Sequence, residues 1–113
     1  MSRTFYCTMS YEVHASVPPE SRKLLLAELV GRRWQDRLKG DRLPAGTVFM
    51  NRNATAEQTT SDLFQACLVD LRAAAEAVAR MGRPMKLGRA WVQVAGAGSY
   101  GLAGPEVLEI PAK

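Results

Sequence analysis

Phe5, Cys7, Met9, Tyr11 and Val13 alternate with Tyr6, Thr8, Ser10, Glu12 and His14 near the start of the chain. Successive side chains of an extended chain point to opposite sides, so this period of two predicts a strand with one core face and one polar face. A helix would scatter both sets around its circumference. The chain is thereby committed to a sheet that is covered on one side and open on the other.

The helices that cover it are legible too. Ser16-Val17-Pro18-Pro19-Glu20 breaks the strand and offers a helix start, where proline's missing N–H costs nothing. Leu25, Leu26, Leu29 and Val30 then recur at helical spacing, and Gly31 is the expected stop. In a second helix, predicted over residues 56–81, Phe64, Cys67, Leu68, Leu71, Ala75 and Val78 keep to one face. Thr55 and Gln58 have the spacing of a capping box at its start; Gly82 and Pro84 close its end.

Between the helices, Gly40, Pro44 and Gly46 punctuate the chain heavily. The expected form is a hairpin of Trp34–Leu38 against Thr47–Asn51 with a turn at Lys39-Gly40-Asp41; the alternative continues the first helix through Trp34. Arg89–Val94 alternates as a further strand. A glycine-rich loop over 96–104 and a short proline-flanked edge strand at Val107–Ile110 follow. The order is β-α-β-β-α-β plus a C-terminal edge strand, an α+β, ferredoxin-like arrangement with both helices on one face. At 113 residues it fills one domain, 1–113.

Several chemistries are excluded on physical grounds. Gly96, Gly98 and Gly101 match G-x-G-x-x-G, yet neither the helix that would hold a pyrophosphate nor the distal acid follows. His14 is the only histidine, and its same-face neighbours Ser10 and Glu12 lie too far along the strand for direct activation of a nucleophile. Cys7 and Cys67 form neither a metal motif nor a disulfide framework. No uncharged apolar run approaches the ~18 residues that span a bilayer, and the opening residues alternate where a signal peptide would be continuous. A cytoplasmic location is the expectation.

What remains is charge. Lysine and arginine number 15 against 11 acidic residues, a net of +4, and arginine suits phosphate through its planar fork. Arg32, Arg33, Arg37, Lys39 and Arg42 form one cluster; Arg80, Arg83, Lys86 and Arg89 form another, with Trp34 and Trp91 in or beside them. Arginine with an aromatic ring on an open sheet face suits single-stranded nucleic acid, by phosphate contact and base stacking. The plainer alternative makes the tryptophans core or dimer-interface residues and the charges ordinary solvated surface.

Met9-Ser10-Tyr11-Glu12-Val13 resembles the strand ending of the small CRISPR-associated adaptation nucleases, whose fold is shared by the GhoS-type antitoxins. Leu43-Pro44-Ala45-Gly46-Thr47-Val48-Phe49, leading into a strand and a long helix, is similar to the middle of that superfamily. The resemblance implies a ferredoxin-like homodimer that binds RNA or DNA, with metal-dependent phosphodiester cleavage in some members. It implies Glu12 as the catalytic residue, binding a metal (magnesium or manganese) or activating water. The family's acid is aspartate, and the longer side chain of Glu12 puts the cleavage chemistry in question. Arg32, Arg33, Arg37, Arg52 and Arg89 are the candidate phosphate contacts and Trp34 a candidate stacking platform. A different class of function, a non-catalytic inhibitor, immunity protein or adaptor, would use the open face and the edge strand to bind a protein.

Overall fold

The computed structural model describes residues 3–96. Its elements run β1 (Arg3–Val13), α1 (Pro19–Gly31), β2 (Arg37–Leu38), β3 (Asp41–Arg42), β4 (Thr47–Ala54), α2 (Thr60–Arg80) and β5 (Leu87–Ala95). The glycine-rich loop beyond Gly96 and the edge strand at Val107–Ile110 lie outside the described residues.

The alternating stretch becomes the middle strand of a three-stranded sheet ordered β4-β1-β5, antiparallel throughout. Register carries the inward parity of β1 to both neighbours. Cys7 stands opposite Met50 and Val94, and Met9 opposite Val48 and Val92. Leu25 and Leu29 of α1 and Cys67, Leu71, Ala74 and Val78 of α2 close over this face in one cluster. Full burial of an aliphatic side chain contributes about 1.5–3 kcal/mol, so this layer carries most of the hydrophobic stabilisation. No described helix is long and apolar enough to cross a membrane.

Each helix starts and stops for a local reason, not always the expected one. Pro18 caps α1 and Pro19 opens it. Val30 faces outward, 45% exposed, and Gly31 is the last helical residue rather than the stop. The stop is Arg33, in the left-handed region at φ 76°: its N–H reaches the Val30 carbonyl at 3.0 Å, and the Trp34 N–H reaches Leu29 at 3.1 Å. This paired bonding is a Schellman closure, which glycine normally supplies. Gly82 supplies it after α2, at φ 78°, with bonds to Ala79 at 3.0 Å and from Arg83 to Val78 at 3.4 Å.

The capping box of α2 sits one turn later than expected. Thr59 accepts from the Asp62 N–H at 3.2 Å, and the Asp62 carboxylate accepts from the Thr59 N–H at 2.8 Å. Thr55 and Gln58 do bond, Thr55 N–H to Oε1 at 2.9 Å, but in the turn before the helix. Only the Thr59–Asp62 box is reciprocal, and it starts the helix where Leu63 is buried, leaving Glu57 exposed.

The central hairpin departs more. Lys39 and Gly40, at φ 52° and 88°, form a two-residue turn that pairs Arg37 and Leu38 with Arg42 and Asp41. Positive φ at both central residues matches the twist of a hairpin, so the tight turn captures its immediate neighbours. Only Gln35 bridges to β4, exchanging 2.8 and 3.0 Å backbone bonds with Phe49. The expected ladder of Trp34–Leu38 against Thr47–Asn51 is thus reduced to one bridge.

Left-handed backbone costs an ordinary residue about 1–2 kcal/mol. Replacing exposed Arg33 by glycine is expected to raise stability by about 0.5–1 kcal/mol, while Gly82→Ala lowers it by about 1 kcal/mol. Urea midpoints at unchanged slope measure both.

Candidate functional site

A cleft of about 560 Å³ opens where β1 leaves the sheet, between α1 and the segment joining β3 to β4. Gly46 builds its wall. At φ 77° it brings its carbonyl to the Tyr11 N–H at 2.8 Å, and a Cβ there would stand 2.7 Å from the Tyr11 carbonyl oxygen. Only glycine meets both demands. Tyr11 lines the cleft, its phenol pushed above the ordinary range by burial and, after that, by the charge of Asp36.

Arg22, Lys23 and Arg42 bring three cations to the cleft, and Glu12 and Asp36 two carboxylates. Arg22 is occupied: it donates to the Val17 carbonyl at 3.1 Å and the His14 carbonyl at 3.3 Å, holding the β1–α1 turn. Lys23 and Arg42 are exposed and take part in no ion pair among the described residues. Glu12 accepts from Arg89 at 3.1 Å, both side chains in solvent. That contact falls at an irregularity in the β1–β5 ladder, where one residue of β1, Glu12, faces two of β5, Gly88 and Arg89.

The open face adjoins the cleft. Ser10 has Thr47 on one side and Trp91 on the other, and Thr47 also lines the cleft. Trp91 is 57% exposed. Thr8 continues the face with Phe49 and Gln93, and Tyr6 with Asn51 and Ala95.

The candidate residues separate into three groups. Glu12 and Arg89 come together at the edge of the cleft. Arg33 and Arg37 are exposed around the hairpin, Arg37 donating to the Gly40 carbonyl at 3.3 Å; Arg32 is half-buried, with Nε buried and unpartnered. In the second basic cluster Arg83 is occupied by Glu20 at 3.0 Å. Trp34 is corrected, since it belongs to the interior, and Arg52 is half-buried beside it. Trp34 is 1% exposed and cannot stack on a base. Its indole N–H donates to Asp70 Oδ2 at 3.0 Å, and Arg52 pairs with the same oxygen while lying 5.8 Å over the Trp34 ring.

The sequence carried signals for this polar cluster. Arg52 lies two residues from Met50 on β4, hence on the helix side, and Asp70 lies three residues from Cys67, beside the apolar stripe of α2. Lys23 and Arg42 were legible as charges; their convergence on one cleft was not, because it depends on the β3–β4 segment folding back.

His14 meets Ser16, not Ser10: Nδ1 lies 2.6 Å from the Ser16 hydroxyl and 3.1 Å from its amide nitrogen. Both contacts close an exposed turn. Among the described residues no group of three or more histidine, cysteine, aspartate or glutamate side chains is placed to hold a metal ion. Glu12 would thus offer an ion a single carboxylate, and that one bonded to Arg89.

Removing one partner of a half-buried charge pair strands the other. Asp70→Ala is expected to cost about 2–4 kcal/mol, and Asp70→Asn, which keeps an acceptor for Trp34, less. Urea unfolding followed by Trp34 fluorescence in a Trp91→Phe background measures the difference.

Compared with family models, curated proteins and solved structures, the chain matches none, so its site is defined by this geometry.

Proposed function

We propose that the protein binds single-stranded nucleic acid at the end of the sheet where the cleft meets the open face. The observation that carries this reading is that Lys23 and Arg42, which form no ion pair among the described residues, line a cleft whose Thr47 continues through Ser10 to exposed Trp91 on the open face. Phosphates fit the cations as point and fork contacts, and a base fits the flat face of the indole. Arg89 adds a donor at the same end once a phosphate competes with Glu12 for it.

The fold is read more finely as ferredoxin-like. The β4-β1-β5 order supports this, with the Gln35 bridge outside β4 marking the place of a reduced edge strand. Two copies per functional unit accord with the resemblance noted above. Cleavage would require Glu12 to release Arg89 and accept a proton from water. Magnesium and manganese belong in the assay for that reason.

The test is a titration of labelled single-stranded RNA and DNA. A site neutralising three phosphates weakens about 20-fold between 50 and 200 mM salt, since the slope is about 0.7 per contact on single strands. Lys23→Ala with Arg42→Ala is expected to flatten that slope by about 1.4. Trp91→Ala is expected to cost about 1–3 kcal/mol of binding with the slope unchanged. Strand shortening that requires magnesium or manganese and vanishes in Glu12→Gln would add catalysis. Absence of binding at low salt overturns the reading and transfers the open face to a protein partner.

A further inference from the structure

The cleft holds groups that phosphate binding leaves unexplained. Lys23 and Arg42 suit a strand's phosphates, yet Asp36 lines the same cleft and, with those two cations, the adjoining groove along α1. A carboxylate there opposes a phosphate. Tyr11 lines the cleft from the sheet side; burial first, and the charge of Asp36 second, push its phenol up, so that it keeps its proton and can donate. Both side chains are half-buried, and among the described residues neither the Tyr11 hydroxyl nor the Asp36 carboxylate has a hydrogen-bond or ion-pair partner. Glu12, the other carboxylate of the cleft, is occupied by Arg89.

We infer that the cleft selects guanine, the Asp36 carboxylate accepting from the base's N1–H and N2–H and the Tyr11 hydroxyl donating to O6. This rests on the single-strand reading above and adds to it which base the cleft takes. The bases differ in the order of donors and acceptors along the Watson–Crick edge, which a single strand leaves open to a protein. Guanine presents one acceptor beside two adjacent donors. Adenine and cytosine set an amino donor beside a ring nitrogen that accepts, and uracil sets its one N–H between two carbonyl oxygens. A carboxylate has two oxygens and no proton, so guanine alone meets both, and every other base turns a lone pair toward it. A site whose polar groups are left half-paired by the wrong ligand rejects that ligand strongly.

The cleft has room for this. Its volume of about 560 Å³ lies within the range of about 300–1,000 Å³ common to small-ligand sites. Leu26 and Leu43 give the base apolar surface to lie against, and Lys23 and Arg42 remain for the neighbouring phosphates.

The test titrates labelled oligouridines of one length, carrying guanine, hypoxanthine or adenine at a single central position, at low salt. The guanine strand is expected to bind about 10- to 100-fold more tightly than the adenine strand, with hypoxanthine, which lacks the N2 amine, between them. Asp36→Asn puts a donor where one acceptor stood, and is expected to bring the guanine and adenine strands within about threefold of each other. The adenine strand itself gains affinity in that variant, because a charge opposing phosphate has gone, whereas a merely structural role for Asp36 would weaken both strands alike. Guanosine and adenosine monophosphates, offered as competitors and alone, form the second arm. Equal binding of the guanine and adenine strands, or a preference that survives Asp36→Asn, overturns the inference and leaves the single-strand reading standing. Preference for guanosine monophosphate in a protein that holds no strand keeps the guanine contact and overturns that reading instead. Absence of binding to every strand and both nucleotides overturns the two together.

Discussion

The ladder bonds of β1 run along both of its edges while its apolar side meets both helices, and every other placement depends on that double duty. β4 and β5 lie outside it, and their inward parity is inherited residue by residue from Cys7 and Met9. The helices pack on the one side those residues define. A slip of a single residue would turn the apolar set to water and bring Thr8 and Ser10 into the core, so the register is held by burial as much as by hydrogen bonds. The same geometry leaves a polar face uncovered, and the protein's candidate chemistry follows from what stands on it.

Within the covered layer the Arg52–Asp70–Trp34 cluster ties together β4, α2 and the segment after α1. Their backbones meet in a ladder only at the Gln35–Phe49 bridge between the segment after α1 and β4. A charge pair at this depth loses hydration that its mutual attraction only partly restores, so its contribution lies in geometry. The indole can bond Asp70 in one orientation, which sets where the chain leaves α1 and thus where the Lys39–Gly40 hairpin projects.

The cleft is a consequence of the hairpin's placement. Leu43 N–H bonds Asp36 at 2.8 Å and Thr47 N–H bonds Pro44 at 3.0 Å, folding the β3–β4 segment back toward Tyr11. Arg42 is thereby carried to Lys23 on α1, and Asp36 to the Tyr11 phenol. Lys23 and Arg42 form no ion pair among the described residues, although Asp36 shares their cleft, while Arg22, Arg52, Arg83 and Arg89 are engaged by carbonyls or carboxylates. Bases that are distant in sequence, Lys23 and Arg42, thus meet at one cleft.

What the chain's order of residues determined unaided is whatever repeats locally: the alternation of β1, the apolar stripe of α2, the Pro18–Pro19 start and the Gly82 stop. Each is a property of a few neighbours and survives any tertiary arrangement. Tertiary structure decided the rest. Trp34 and Trp91 both stand near arginines in sequence, yet one is 1% and the other 57% exposed. Arg52 and Asp70 carry the marks of surface residues until β4 and α2 bring them face to face. The helix start at Thr59, the stop at Arg33 in place of Gly31 and the hairpin that closes on itself each depart from the nearest local signal. Local pattern encodes periodicity, whereas pairing between distant residues is encoded in the packing that only the folded chain completes.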